Sequence, residues 1–262
     1  MIQQQQARQS ALSRVTRGVR HAPVRVLVYG VEGVGKSTFG ASAPGAIFLG
    51  AEDGTSQLDV ARLPQPQSWL EVLEQIRELM TLDHEFKTLV IDTLDWLEPL
   101  LWKHVCAEAK KANIEDFGYG KGYVAALDGW RAFVSALDAL RSRRGMSVVL
   151  LAHAIVKLFK NPDGDDYDRY VLKLHDKAGG LLKEWSDAVI FANFQSFVKR
   201  EKNGKAKGFG EAGVRVAYTE RGPTYDAKNR FGMPNEIAFG WSEFASYALN
   251  ATPEAQTQAL RR

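Results

Sequence analysis

Gly30-Val31-Glu32-Gly33-Val34-Gly35-Lys36-Ser37 is the stretch on which the reading of this chain turns. It has the spacing G-x-x-x-x-G-K-S. An apolar run, Val24–Tyr29, precedes it and reads as a buried strand; a helix is expected from about Lys36. Strand, glycine-rich turn and helix form the context in which this spacing cradles phosphate. Glycine lets the backbone curl until its N–H groups point inward at phosphate oxygens. Lys36 brings a point charge to the β- and γ-phosphates, and the Ser37 hydroxyl is a ligand for Mg²⁺. These eight residues with Thr38 are the expected nucleotide site, with ATP and Mg²⁺ as cofactors.

Working outward, the pattern repeats. Ala46–Gly50 is a second apolar run, followed by Ala51-Glu52-Asp53-Gly54. A carboxylate at the carboxyl end of a sheet strand faces the ligand crevice, so Glu52 is the candidate to orient and deprotonate an attacking water, with Asp53 as its competitor. Thr88–Ile91 is a third strand, bounded by Asp92, which would hold Mg²⁺ through water together with Ser37. Ser147–Ala152 is a fourth strand, followed by His153. That histidine is a candidate sensor of the γ-phosphate; a structural hydrogen-bonding role is equally open to it.

Helical spacing marks Trp69–Met80, Trp96–Ala112 and Leu127–Arg143, and Leu181–Trp185 reads as helical. Gly118–Gly122 reads as a loop. The polar, charged segment 157–177 reads as a long loop or a loop with short strands. Ala188–Phe191 is a further strand. Phe197–Lys207 and Val214–Thr219 flank Asn203-Gly204 and read as a hairpin. Strands alternating with helices imply an α/β fold: a mostly parallel, twisted sheet with helices on both faces and a trailing antiparallel hairpin. The expected divisions are a basic arm (1–23), an ATPase core (24–240) and a helical tail (241–262).

Composition is ordinary for a soluble globular protein: 262 residues, 45% hydrophobic and 25% charged, net charge +3. A single cysteine, Cys106, excludes an internal disulfide and fits a reducing cytoplasm. No apolar run approaches the length of a membrane span. Residues 1–25 carry Arg8, Arg14, Arg17, Arg20 and Arg25 and no acid, an arm that resembles a transit peptide in composition and is also suited to phosphates, to a neighbouring subunit or to solvent.

The order of parts resembles the RecA-like recombinase core: a phosphate loop, strand-Ala-Glu, strand-Asp, a Gly-rich loop and helix, strand-Ala-His, a charged loop, and Gly179-Gly180. The resemblance assigns the catalytic glutamate to Glu52 and the nucleotide sensor to His153, where bacterial RecA has glutamine. It puts the two DNA-contacting loops at about Phe117–Val124 and Ile155–Lys177. More narrowly, Phe117-Gly118-Tyr119-Gly120-Lys121-Gly122-Tyr123, Ala152-His153 and Ala227-Lys228-Asn229-Arg230 resemble the phage-encoded Sak-type single-strand annealing proteins. That group implies ATP-dependent or ATP-modulated action on single-stranded DNA in phage recombination, by annealing or strand exchange. It also implies a ring or filament with ATP at subunit interfaces, a single-strand binding protein as a further partner, and the bacterial host cytoplasm. Lys228 and Arg230 would then complete a neighbour's ATP site.

The residues themselves add candidate DNA contacts. Tyr119 and Tyr123 flank Lys121, and aromatics that stack on bases beside a cation are the usual recipe for single strands. Lys199, Arg200, Lys202, Lys205 and Lys207 cluster around the expected hairpin turn with a single acid, Glu201. A phosphotransferase and an ATP-stabilised assembly module remain the alternatives, although the chain shows no Arg-rich lid of the kind such kinases carry.

Overall fold

The computed structural model describes residues 11–18, 22–50, 54–195, 197–200, 206–209 and 213–249. In chain order the main elements are β1 (Arg25–Gly30), α1 (Lys36–Ala41), β2 (Ala46–Gly50), β3 (Ala61–Arg62), α2 (Trp69–Thr81), β4 (Thr88–Asp92), α3 (Leu94–Glu108), α4 (Lys121–Arg144), β5 (Ser147–Phe159), β6 (Tyr167–Leu172), α5 (Asp176–Trp185) and β7 (Ala188–Phe194). An antiparallel portion follows: β8 (Phe197–Arg200), β9 (Ala206–Phe209), β10 (Arg215–Tyr218), β11 (Lys228–Asn229) and β12 (Glu236–Ala238), then α6 (Trp241–Ala248). The sheet runs β12-β10-β7-β1-β5-β4-β2-β3. Neighbours from β7 to β3 are parallel, and β10 and β12 add antiparallel strands at one side. This is the α/β, mostly parallel fold expected from the alternating runs.

The apolar runs form central strands because both of their faces are covered. On β1, Leu27 and Tyr29 enter one core with Trp69, Trp130 and Phe133 from α2 and α4. Val26 and Val28 enter the other core with Phe39 of α1 and with Trp241 and Phe244 of α6. The helix α6 is thus part of the second core. The start of α2 is fixed locally: Ser68 Oγ accepts from Glu71 N, while a Glu71 carboxylate oxygen accepts from Gln67 N.

The segment 157–177 takes the second of its two expected forms, strands joined by a turn, and three other expectations change. In that segment β5 runs on past His153 to Phe159 and turns back as β6, with Ala154 opposite Leu172 and Phe159 opposite Tyr167. The turn is stabilised by Asp166, which accepts from Asn161 N and Lys160 Nζ. After it, α5 begins at Asp176, earlier than the apolar spacing indicated, because His175 caps it. The glycine-rich loop is shorter than expected, since α4 begins at Lys121. Finally, the hairpin closes inside its first segment, Phe197 pairing with Phe209, while β10 pairs with β7 in the main sheet. Both 206–209 and 215–218 have strand character, and only the sheet chooses which of them pairs with 197–200.

Arg25, read with the basic arm, belongs instead to β1. Its guanidinium donates to both oxygens of Asp187, at 2.7 and 3.1 Å, and lies over the Trp185 ring. Arg14 and Arg17 are exposed; Arg8 and Arg20 lie outside the described residues.

Candidate nucleotide site

The sheet brings the site residues to its carboxyl edge. Gly30 ends β1 with His153 of β5 on one side and Ala192 of β7 on the other. A side chain at Gly30 has no room: its Cβ would lie 2.2 Å from the Ala192 carbonyl oxygen. The loop then curls through Gly33 and Gly35, both at positive φ (+71° and +96°), conformations that glycine adopts without penalty. Lys36 is buried, and its Nζ donates to the carbonyls of Gly30 and Val31 at 3.3 and 3.1 Å. The ammonium is therefore held inside the curl. Thr38 continues into α1, where its carbonyl accepts from Ser42 N.

Asp92, 3% exposed at the end of β4, accepts a hydrogen bond from Ser37. Burial raises its pKa, against the Ser37 hydrogen bond and the charges of Lys36 and His153. Its Oδ2 has no hydrogen-bond partner among the described residues. Leaving a buried carboxylate oxygen unpaired is costly, and a metal-bound water is the kind of donor that would satisfy it. The residues thus fit Mg²⁺ held by Ser37 and, through water, by Asp92, with triphosphate in the curled loop. When bound, the ion would supply charge neutralisation at the phosphates.

His153 is gripped by one carboxylate. Its backbone N donates to Asp95 Oδ1 at 2.9 Å, and its Nδ1 lies 2.9 Å from Asp95 Oδ2. Burial would raise the Asp95 pKa, but the two His153 hydrogen bonds and its charge leave it lowered. Lys173, just after β6, lies 3.8 Å from the same carboxylate, and its N–H donates to the His153 carbonyl. One helical turn along α3, Glu98 accepts from His175 N with both oxygens at 3.1 Å. Burial, with Asp95 nearby, pushes the Glu98 carboxyl up to about 7. Asp95 and Glu98 thus tie the edge of the nucleotide site to β6 and to the start of α5. Both were missed in the sequence. The available signal was two acids three residues apart on a helix face otherwise buried through Leu94, Leu97 and Leu101.

The remaining candidates separate. Tyr119 stands fully exposed at φ +49° between Gly118 and Gly120, with Lys121 beginning α4. Tyr123 is engaged: its ring stacks on His175 at 4.1 Å and 10°, meets Trp102 edge-on, and its hydroxyl donates to Glu115. Lys199 and Arg200 are on β8 and Lys207 on β9. Lys202 and Lys205 lie outside the described residues, as do Glu52 and Asp53. Lys228 and Arg230 are at the opposite, amino edge of the sheet, where β11 pairs with Val189 and Ala188. Lys228 Nζ donates to the carbonyls of Lys183, Glu184 and Ser186 at 2.7–3.1 Å, closing the end of α5. Arg230 pairs with Asp187 at 3.1 Å and is half exposed.

A glycine-curled loop leaving a central parallel strand, a buried lysine within it, and a neighbouring strand-end aspartate define a phosphate-loop nucleotide-binding protein. The chain belongs to the AAA domain family designated AAA_24, whose model matches residues 22–231. Among solved structures it is similar to the crystal structure of the RadB recombinase, with a TM-score of 0.45 and 14% identity, covering 76% of this chain and 82% of that one. No curated protein matches the chain in sequence. No described helix is long and apolar enough to cross a membrane.

Proposed function

We propose that the chain is a Mg²⁺-dependent ATPase of RecA-like type that acts on single-stranded DNA as a homo-oligomer, in the manner of the phage annealing proteins its motifs resemble. The observation that carries the reading is the company the phosphate loop keeps. The β5–β6 arm and the root of the β8–β9 hairpin leave the sheet at the carboxyl edge where Gly30 ends β1, and the Tyr119 turn is tied to the base of the arm through Tyr123, whose ring stacks on His175. An exposed aromatic on a glycine-flanked turn, followed by Lys121, suits base stacking beside a backbone contact.

In this reading Glu52 deprotonates the attacking water, Lys36 steadies the phosphates, and Ser37 and Asp92 hold the metal. His153 shares β5 with the arm, so a change at the phosphate reaches the arm through one continuous strand. Asp95 holds the ring in place during that change. Lys199, Arg200, Lys202, Lys205 and Lys207 would give the hairpin its affinity for phosphate. Arg230 would reach a neighbour's ATP from the amino edge, while Lys228 keeps α5 closed and sets the position of β11. A contact from one subunit's amino edge to another's carboxyl edge is head-to-tail, the arrangement that builds rings or filaments.

ATP turnover measured across a titration of single-stranded oligonucleotide, alongside sizing with and without nucleotide, tests the proposal. DNA-stimulated turnover is expected. Turnover that needs a small acceptor would point to a phosphotransferase, and tight binding without turnover to an assembly module; either overturns the proposal.

A further inference from the structure

Arg215 opens β10 opposite Phe194 of β7. It lies two residues beyond the Ala217–Ala192 pair, and Ala192 is the partner of Gly30. Arg215 therefore belongs to the same edge of the sheet as the phosphate loop. Its side chain turns back over that loop. A Cβ placed on Gly35 would lie 2.6 Å from an Arg215 guanidinium nitrogen and 3.5 Å from Cζ. Gly35 is thus needed twice, for its φ of +96° and for the room the guanidinium occupies.

Arginines elsewhere around the sheet are paired. Arg25 and Arg230 bind Asp187, and Arg169 and Arg221 approach Asp226. The Arg215 guanidinium has no hydrogen bond or ion pair among the described residues. A cation with five donors, folded against a loop whose N–H groups and Lys36 are also positive, is in an unfavourable field unless an anion joins them. An arginine that merely sought solvent would extend away from the loop.

We propose that Arg215 is a phosphate ligand of the bound nucleotide, supplied by the same subunit that supplies the loop. The proposal rests on the reading of Gly30–Ser37 as the nucleotide site and adds a contact that the loop motif does not contain. It differs from the role given to Arg230 because it needs no neighbour, so its effect persists in dilute, monomeric protein. A planar guanidinium can hold two phosphate oxygens at once, which lysine cannot.

Mg·ATP and adenosine would be titrated by calorimetry against wild type, R215A, R215K and K36A at low protein concentration and two salt levels, with the Tm of each nucleotide-free protein recorded. An arginine–phosphate contact at an exposed site is worth about a tenfold change in Kd. R215A is expected to weaken ATP about tenfold, less so at high salt, with R215K between it and wild type. Adenosine affinity and the Tm without nucleotide should not move, since Arg215 has no protein partner to lose. Wild-type ATP affinity in R215A, with affinity lost in K36A, would overturn the role of Arg215 alone. Wild-type affinity in K36A would overturn the loop reading on which it rests. A fall in the nucleotide-free Tm of R215A matching its loss of ATP affinity would make Arg215 structural and also defeat the proposal.

Discussion

Replacing Glu98 by glutamine should flatten part of the pH dependence of stability. Glu98 is buried on α3, and its carboxylate accepts the His175 N–H at the start of α5. Burial pushes its pKa from 4.5 to about 7, with Asp95 adding to the rise and the His175 hydrogen bond and Lys157 opposing it. Between those values the unfolded chain has released the proton while the folded chain keeps it. The folded state binds more protons there, so stability falls as pH rises through that window. Each pH unit is worth about 1.4 kcal/mol, and the full window roughly 3 kcal/mol. Glutamine keeps an acceptor for His175 N and has no charge to desolvate. Urea unfolding at pH 5 and pH 8 reads the effect. Wild type and E98Q should nearly coincide at pH 5, and E98Q should be the more stable at pH 8 by about 2–3 kcal/mol. His175, whose pKa burial lowers, gives a slope of the opposite sign, but it does so in both proteins and cancels in their difference. Parallel stability curves for the two proteins across pH 5–8 would refute the argument.

Three further outcomes are expected. Gly30→Ala should destabilise the fold by about 1–3 kcal/mol and abolish nucleotide binding, because its Cβ meets the Ala192 carbonyl at 2.2 Å; wild-type ATP affinity with an unchanged Tm would contradict this. Tyr119→Ala should weaken single-strand binding by about 1–3 kcal/mol without touching stability. Tyr123→Ala should instead lower stability by about 0.5–1.5 kcal/mol through the lost ring contacts with His175 and Trp102, and denaturation beside a DNA-binding titration separates the two. Arg230→Ala and Glu52→Gln should each be inactive alone and regain some ATPase when mixed, since a mixed interface pairs an intact Glu52 with an intact Arg230. The absence of recovery in oligomers shown to exchange subunits would refute the neighbour role.

The amino-acid sequence by itself determined the phosphate loop, the strands β1, β2 and β4 to within a residue, and the parallel α/β class. These rest on local facts: a glycine spacing that only one backbone curl satisfies, and apolar runs whose residues serve both faces of a sheet. Asp92 was legible for the same reason, as the first polar residue after such a run. The tertiary structure alone decided what surrounds that loop. Glu98 meets His175 across 77 residues and Arg25 meets Asp187 across 162, and no local pattern encodes either pair. Tyr119 and Tyr123 look alike in sequence; α4 begins between them, leaving one exposed and turning the other onto His175. Arg215 carries no local mark at all. It comes to Gly35 because β10, of two candidate strands, is the one that pairs with β7. Sheet pairing joins residues by register rather than by nearness in the chain, and it was the pairing that put this cation over the loop.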